Sequence, residues 1–486
     1  MKFLAALLVL LCFAPATHAT PVGPRAALDS LLLSTASRDS LRERLLVYAS
    51  HAPSGRAAAL ALYYRAMSFD RAAMPDSAVA NYRRAMAAAR SPLVTSAFVD
   101  ALLRRRGVGD IAEAITALNT LPSAERDPDA LQAPADPSRL GWASVLSGDP
   151  KRGIELLAPQ EQRLAPDPLW KYRFARTYVE NKNYAKALPY LLDLNTSARG
   201  QDGEIVSMLG HADKALGPNG RTRERTMTEM QKRDDAETPI LSRLGGRRVR
   251  LKVSDGSLIG GAMFADTLNK RPVRAALVLA SLGDQLQDYD SLTVALRHQG
   301  FAVFILDPRG SGWSVTPEFP LPETWQGRQD ALGARVVRDV RDAITTFARV
   351  VRIDTTQVLV VGVVGMAPLA LEAAATDARV RAVALLDILA SPVDRGAILG
   401  AARRAQLPIY LVVSIPGRSE MTFADQLFHA GPERLSRLDD SVALGSGAAA
   451  FGSRPMVTPR FVRWLDETFA GRPVRRVIPR TTPPSR

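Results

Sequence analysis

The chain has 486 residues, of which 47% are hydrophobic and 23% charged, so it is long enough for two or three globular domains with large cores. Its formal net charge is +14 at pH 7, but the basic residues are spread in ones and twos among acidic residues, which argues against a specific nucleic-acid surface. The single cysteine, Cys12, lies close to the N-terminus. Disulfides, thiolate catalysis and cysteine-ligated metals are therefore excluded for the rest of the chain.

The N-terminus has the organisation of a secretory signal peptide. Lys2 gives a short positive start, residues 3–13 are uninterruptedly apolar, and Thr17 and Ala19 supply the small side chains that signal peptidase reads. We expect residues 1–19 to be removed after Ala19 and the mature protein to be secreted or periplasmic. No later stretch reaches the roughly 18 consecutive apolar residues of a membrane span, so none is expected.

Residues 26–237 are almost entirely helix-periodic, with short breaks at Gly, Pro and Asp. Two stretches carry small and aromatic residues at the same offsets: Ala66, Phe69, Ala78, Tyr82 and Ala85 in the first, and Ala175, Tyr178, Ala187, Leu191 and Leu194 in the second. They resemble the tetratricopeptide repeat, in which small residues let paired helices approach closely. The resemblance implies a concave face that binds a protein or peptide partner. The alternative is an array that only braces the C-terminal half.

Residues 238–470 have a different periodicity and predict a separate α/β domain. Residues 247–253 and 258–264 flank the turn at Asp255-Gly256, which is typical of a β-hairpin. Buried apolar runs then alternate with helical segments, which indicates a doubly wound, mostly parallel sheet. Residues 471–486 are rich in Arg and Pro and predict a disordered tail.

The sharpest motif is Gln357–Leu371, which reads as a buried strand, a turn with glycines at Gly362 and Gly365, and a helix. Together with RHQGFAVFILDPRGSGWS at 297–314 and LPIYLVV at 407–413, this motif resembles the α/β-hydrolase family. The resemblance implies a G-x-S-x-G turn that lifts a nucleophile above the sheet. It also implies hydrolysis of esters or amides by Ser, Asp/Glu and His in that chain order.

Every catalytic position of that family is changed in this chain. The serine position holds Val364, and the acid position maps near Gly417, where only Glu420 is close. The histidine position maps near Ala448, and the oxyanion motif maps to the Ala-Ser pair that ends at Ser281. We therefore expect no catalytic residue, no metal ligand and no cofactor.

The turn should also change its backbone. A β-branched residue tolerates a positive φ badly, so we expect Gly365 to take that conformation in place of Val364, in a relaxed turn. Val364 and Met366 should then form an apolar plug where a substrate would have entered. The residues expected to line the vestigial pocket are Ser281, Leu282, Val364, Gly365 and Met366.

These observations leave three hypotheses about function. The main one is an exported, non-catalytic binding or scaffold protein with a helical repeat domain and a pseudohydrolase domain. The first alternative is an α/β-hydrolase-family esterase or peptidase with an unorthodox active site that uses Ser281 or Glu420. The second is a small-molecule binder that uses the vestigial pocket.

Overall fold

The computed structural model describes residues 24–34, 37–120, 137–266, 271–316, 318, 326–413, 418–430, 436–439, 447–453 and 456–470. The predicted signal peptide, the C-terminal tail and position 417 lie outside these ranges. Within them, no helix combines the length and the apolar character that crossing a membrane would require.

The N-terminal half consists of helices, as the periodicity predicts. Helices that follow one another pack together, most extensively α3 with α4, α7 with α8 and α10 with α11. The bounds are α1 Pro24–Ser34, α2 Arg38–Ser50, α3 Gly55–Arg71, α4 Pro75–Ala88, α5 Pro92–Arg105, α6 Asp110–Asn119, α7 Pro137–Leu146, α8 Pro150–Leu157, α9 Glu161–Leu164, α10 Pro168–Glu180, α11 Tyr184–Ser197, α12 Gly203–Leu216 and α13 Thr222–Leu244.

The small residues that repeat in the sequence lie where these helices meet. Ala66 of α3 and Ala78 of α4 are fully buried, and so are Ala175 of α10 and Ala187 of α11. Alanine at such positions lets helix backbones approach closely because it has the smallest side chain after glycine. In both stretches the matched alanines are therefore buried within a pair of packed helices.

The C-terminal half is built on one eight-stranded sheet with the order β1-β2-β4-β3-β5-β6-β7-β8. Strand β2 is antiparallel to both β1 and β4, and every other neighbouring pair is parallel. The predicted hairpin is confirmed, with Gly256 in its turn at φ +85°. The strands are β1 Gly246–Lys252, β2 Leu258–Phe264, β3 Val273–Leu279, β4 Phe301–Leu306, β5 Ile353–Val363, β6 Val380–Leu386, β7 Ile409–Val413 and β8 Ser436–Asp439.

Helices cover both faces of the sheet and bury two separate cores. One core includes residues of α15, α16 and α17, and the other includes residues of α14, α19 and α20. Strands that are buried on both faces read as continuous apolar runs, which explains the sequence pattern of this half. The helices are α14 Asp290–His298, α15 Gln329–Val350, α16 Ala367–Thr376, α17 Arg395–Ala405, α18 Arg418–Ala430, α19 Ala450–Ser453 and α20 Val457–Phe469.

Helix α13 connects the two halves without a break. The predicted domain boundary between 237 and 238 falls inside it, and Pro239 is a helical residue. Near its start, Thr226 accepts a hydrogen bond from Asn195 of α11, with 3.1 Å between Nδ2 and Oγ1. Near its end, Leu241 and Leu244 pack against the sheet core. One rigid element therefore contacts both halves.

Ion pairs join the halves at a second place. Arg38 of α2 pairs with Asp330 of α15 and with Asp394, at 2.6 Å between Nη2 and Oδ1 of the latter. Arg71 of α3 pairs with the same Asp394 at 2.8 Å. The Asp394 side chain is only 12% exposed, so water screens this cluster poorly.

Candidate functional site

The turn between β5 and α16 has the backbone of a nucleophile elbow. Val364 follows the last residue of β5 and has φ +50°, and α16 begins three residues later. A Cβ on Gly362 would lie 2.4 Å from Cβ of Ala370, so only glycine lets the helix cross the strand this closely. The expectation that Gly365 takes the positive φ is wrong. The strained residue is Val364, at the position where the family carries its serine.

The surroundings hold Val364 in this conformation. Its carbonyl accepts a hydrogen bond from the backbone N–H of Leu389, at 3.3 Å between N and O. Its side chain is partly buried and packs against the same core as Ala280, Tyr289 and Ala448. A strained backbone persists where its neighbours fix it in several ways at once.

Met366 does not join Val364 in one apolar plug. It is 5% exposed and belongs to the core on the other face of the sheet. Leu282 is partly buried and packs against that same core. Val364 and Met366, two of the five residues expected to line the pocket, therefore pack on opposite faces of the sheet. Their side chains point in different directions from the turn.

Asp387 is an acidic residue that the structure connects to the elbow through Gly447. It directly follows β6, is 1% exposed and has φ +54°. Its carboxylate accepts a hydrogen bond from the backbone N–H of Gly447, and its own N–H donates to Val412 O at 2.8 Å. Sequence reasoning looked for the acid after β7 and missed it. The available signal was an aspartate at the carboxyl end of a buried strand, the edge where α/β sheets carry their sites.

Gly447 lies directly on the elbow. A Cβ at this position would come within 2.8 Å of Val363 Cγ1 and 3.3 Å of Val364 Cγ2. The next residue, Ala448, is the position to which the histidine maps, and it is 2% exposed. The fold thus brings together Val364, Asp387 and the loop at 447–448, in the chain order of the triad.

This arrangement lacks the groups that the chemistry needs. Valine has no lone pair to attack a carbonyl group and no proton for a base to remove. The structure describes four histidines, and all of them are exposed: His51, His211, His298 and His429. Asp387 therefore fixes a loop by a hydrogen bond instead of orienting an imidazole.

The loop after β3, where the oxyanion motif maps, is internally hydrogen-bonded. The N–H of Ser281 donates to the hydroxyl of Tyr289 at 2.8 Å, and that hydroxyl donates to Asp284 Oδ2 at 2.5 Å. Burial raises the pKa of the Asp284 carboxyl and that of the Tyr289 hydroxyl. The N–H of Gly283 donates to Ser311 Oγ at 3.3 Å. Two backbone donors of the loop are thus engaged within the protein.

The DPRGSGWS segment is a structural loop in this chain. Asp307 accepts a hydrogen bond from the N–H of Trp313 at 2.9 Å and lies 3.3 Å from Arg248. Burial raises the pKa of Asp307 to about 6. The guanidinium of Arg199, from the helical half, stacks over the Trp313 ring at 4.1 Å. The best-retained family motif therefore contacts the helices.

Comparisons with known proteins found similar folds only. No family model matches the chain, and no curated protein matches it. A structure described as DcsB in complex with its substrate analogue is 16% identical, with 46% of this chain and 100% of that chain covered and a TM-score of 0.35. A putative dienelactone hydrolase from Klebsiella pneumoniae is 12% identical, with 46% and 98% covered and a TM-score of 0.36. A 2,6-dihydroxy-pseudo-oxynicotine hydrolase is 16% identical, with 63% and 88% covered and a TM-score of 0.37.

Two of these similar structures are named as hydrolases. The protein itself has a helical N-terminal region followed by a mixed α/β sheet domain. Likeness at this level concerns the fold and says nothing about activity.

Proposed function

We propose that this protein is an exported, non-catalytic binding or scaffold protein in which helical repeats are joined to a hydrolase-like domain. The observation that carries the proposal is Val364 at the elbow, with Gly447 lying on it and a strained φ of +50°. The family position for a nucleophile is thereby occupied by an apolar side chain. Export is supported by the N-terminal sequence, and intact-mass analysis of envelope protein should find a chain that starts at Thr20.

The two halves make extensive contact, which supports a scaffold whose parts act as one body. Arg38 and Arg71 of the helical half pair with Asp394 of the sheet half, and Arg199 stacks on Trp313. These contacts also suit the brace hypothesis for the repeats. If the repeats do more than brace the sheet domain, their partner is a protein or peptide that binds the remaining helical surface.

The alternative is an esterase or peptidase with an unorthodox site. Two of the three similar structures are named as hydrolases, and their names agree with this alternative rather than with the main proposal. Ser281 is its candidate nucleophile because it lies beside the Tyr289–Asp284 pair. In this structure the Ser281 N–H is already bonded to Tyr289, which does not favour an oxyanion-binding role.

Labelling with a fluorophosphonate separates the two proposals. We expect no covalent labelling of the wild-type protein and no turnover of activated esters or amides. Val364→Ser should remain inert because the four histidines that the structure describes are all exposed and none is buried beside the elbow to deprotonate the new hydroxyl. Stoichiometric labelling of the wild type that Ser281→Ala abolishes would establish the enzyme instead.

A further inference from the structure

A cavity of about 260 Å³ lies between the helical half and the segment that leads into α15. Three arginines line it from the helical side, Arg104, Arg139 and Arg173. Gln326, Gly327 and Gln329 line it from the sheet domain. The cavity is therefore built from both halves of the chain, and it is separate from the elbow residues.

Two of the three arginines are neutralised by carboxylates in the cavity wall. Arg104 pairs with Asp70 at 2.5 Å, and Arg139 pairs with Asp100 at 3.0 Å. Arg173 is different. No hydrogen bond or ion pair joins its guanidinium to any residue that the structure describes, although the residue is only 7% exposed. The cavity thus holds one uncompensated positive charge.

The environment of Arg173 orients its guanidinium group. The group lies over the rings of Trp170 at 4.4 Å and Trp142 at 5.5 Å. Burial lowers its pKa to about 10, so the group is still charged at neutral pH. Stacking occupies the faces of the planar group and leaves its N–H edge for an acceptor. A buried cation without an acceptor is costly, and a bound anion would remove that cost.

The opposite wall offers a second polar group. Oε1 of Gln329 is buried and has no hydrogen-bond partner among the residues that the structure describes. Gly327 adopts φ +70°, and a Cβ there would lie 3.8 Å from Asp70 Oδ1 and 3.9 Å from Arg104 Nε. The segment therefore lies close over the Asp70–Arg104 pair and brings the amide of Gln329 to the cavity.

We propose that this cavity binds a small organic carboxylate that also carries a hydroxyl group: its two carboxylate oxygens accept hydrogen bonds from Arg173, and its hydroxyl donates to Gln329 Oε1. The N–H fork of an arginine pairs with carboxylates and phosphates alike, so the preference for an organic acid rests on the apolar part of the cavity wall. Leu169 and Trp170 supply apolar wall for a short carbon chain. This site does not depend on whether the elbow is catalytic, so it goes beyond the function proposed above.

Binding can be measured on the full chain without its signal peptide, at low ionic strength. The probes are acetate, succinate, citrate and inorganic phosphate, and the readouts are calorimetry and tryptophan fluorescence, because Trp142 and Trp170 adjoin the guanidinium. We expect saturable binding of at least one carboxylate, with a fluorescence change. Arg173→Gln should weaken it at least tenfold, and so should Arg173→Lys, which keeps the charge but loses the fork.

Controls keep the test decisive. Arg83→Gln removes an arginine that pairs with Glu113 and stacks near Phe98 away from the cavity, and it should bind like the wild type. Arg173→Gln should raise the unliganded Tm, because it removes a buried unpaired charge. If that variant fails to fold, Gln329→Ala tests the other wall and should weaken binding several-fold. Binding of phosphate alone, no saturable binding of any carboxylate, or full-strength binding by the Arg173 and Gln329 variants would overturn the proposal.

Discussion

The carboxylate of Asp387 and the backbone N–H of Gly447 are hydrogen-bonded to each other although sixty residues separate them in the chain. The bond connects the end of β6 to the loop that lies on Val364. In a serine hydrolase an acid near this place would orient a histidine. Here the acid fixes the loop itself, so its role is structural.

Replacing Asp387 by alanine should destabilise the protein by about 1–3 kcal/mol, because a buried N–H would lose its acceptor. Asp387→Asn keeps an acceptor oxygen and should cost less. Urea unfolding gives the free energies, and the rate of proteolysis near Gly447 reports the local effect. Asp466→Ala on the exposed side of α20 is the matched control. Equal effects at 387 and 466 would contradict the assigned role.

Glycine at the elbow should be tolerated unusually well. Val364→Gly removes a partly buried side chain, but it also relieves a positive φ that costs roughly 1–3 kcal/mol. The free energy of unfolding of the variant should therefore lie within about 1 kcal/mol of the wild-type value. Val363→Gly is the control, since Val363 is fully buried at an ordinary φ of −118°. Val363→Gly should lower the free energy of unfolding by about 3 kcal/mol. Similar losses at both positions would argue against strain at Val364.

Asp307 should give the protein a pH dependence in the acid range. Its pKa in the folded state is about 6, above that of an aspartate in an unfolded chain, so between roughly pH 4 and 6 the folded state holds a proton that the unfolded state releases. Stability should therefore fall as pH rises through this window. Between roughly pH 4 and 6, the free energy of unfolding of the wild type should fall by roughly 2–3 kcal/mol relative to that of Asp307→Asn.

The measurement for Asp307 is chemical denaturation from pH 4 to 7 for both proteins. Their difference removes the contribution of the other carboxylates. Asp466→Asn, on an exposed helix face, should leave the pH profile unchanged. A wild-type minus variant difference that stays constant with pH would disprove the elevated pKa.

Asp394 should couple the two halves. Asp394→Ala removes the shared partner of Arg38 and Arg71 and leaves only Asp330 beside these two partly buried cations, so the free energy of unfolding should fall by about 2–4 kcal/mol. Asp29→Ala breaks a pair with Arg25 in which both side chains are 46% exposed, and should change little. Calorimetry should show one transition for the wild type and a resolved helical transition for Asp394→Ala. A wild type that already unfolds in two steps would show that the halves are independent.

The sequence alone determined the elements and their order. Helices are distinguished by an apolar period of 3.6 residues, whereas strands that are buried on both faces appear as short continuous apolar runs bounded by turn residues. The hairpin at Asp255-Gly256, the alternating sheet domain and the helical first half all follow from that, and the elbow is recognisable from two glycines after a valine run. The absence of serine at position 364 is equally a fact of sequence.

Only the tertiary structure decided what surrounds those positions. Whether Val364 or Gly365 takes the positive φ depends on the hydrogen bond from Leu389 and on packing in the core. The φ preferences of the residues themselves do not account for such distant contacts. Asp387 meets Gly447 because neighbouring strands end at the same edge of the sheet, a relation between residues far apart in the chain. The cavity at Arg173 likewise exists only where helices of one half meet the 326–329 segment of the other. Long-range packing, which local sequence preferences do not encode, leaves the Arg173 charge buried without a partner among the described residues.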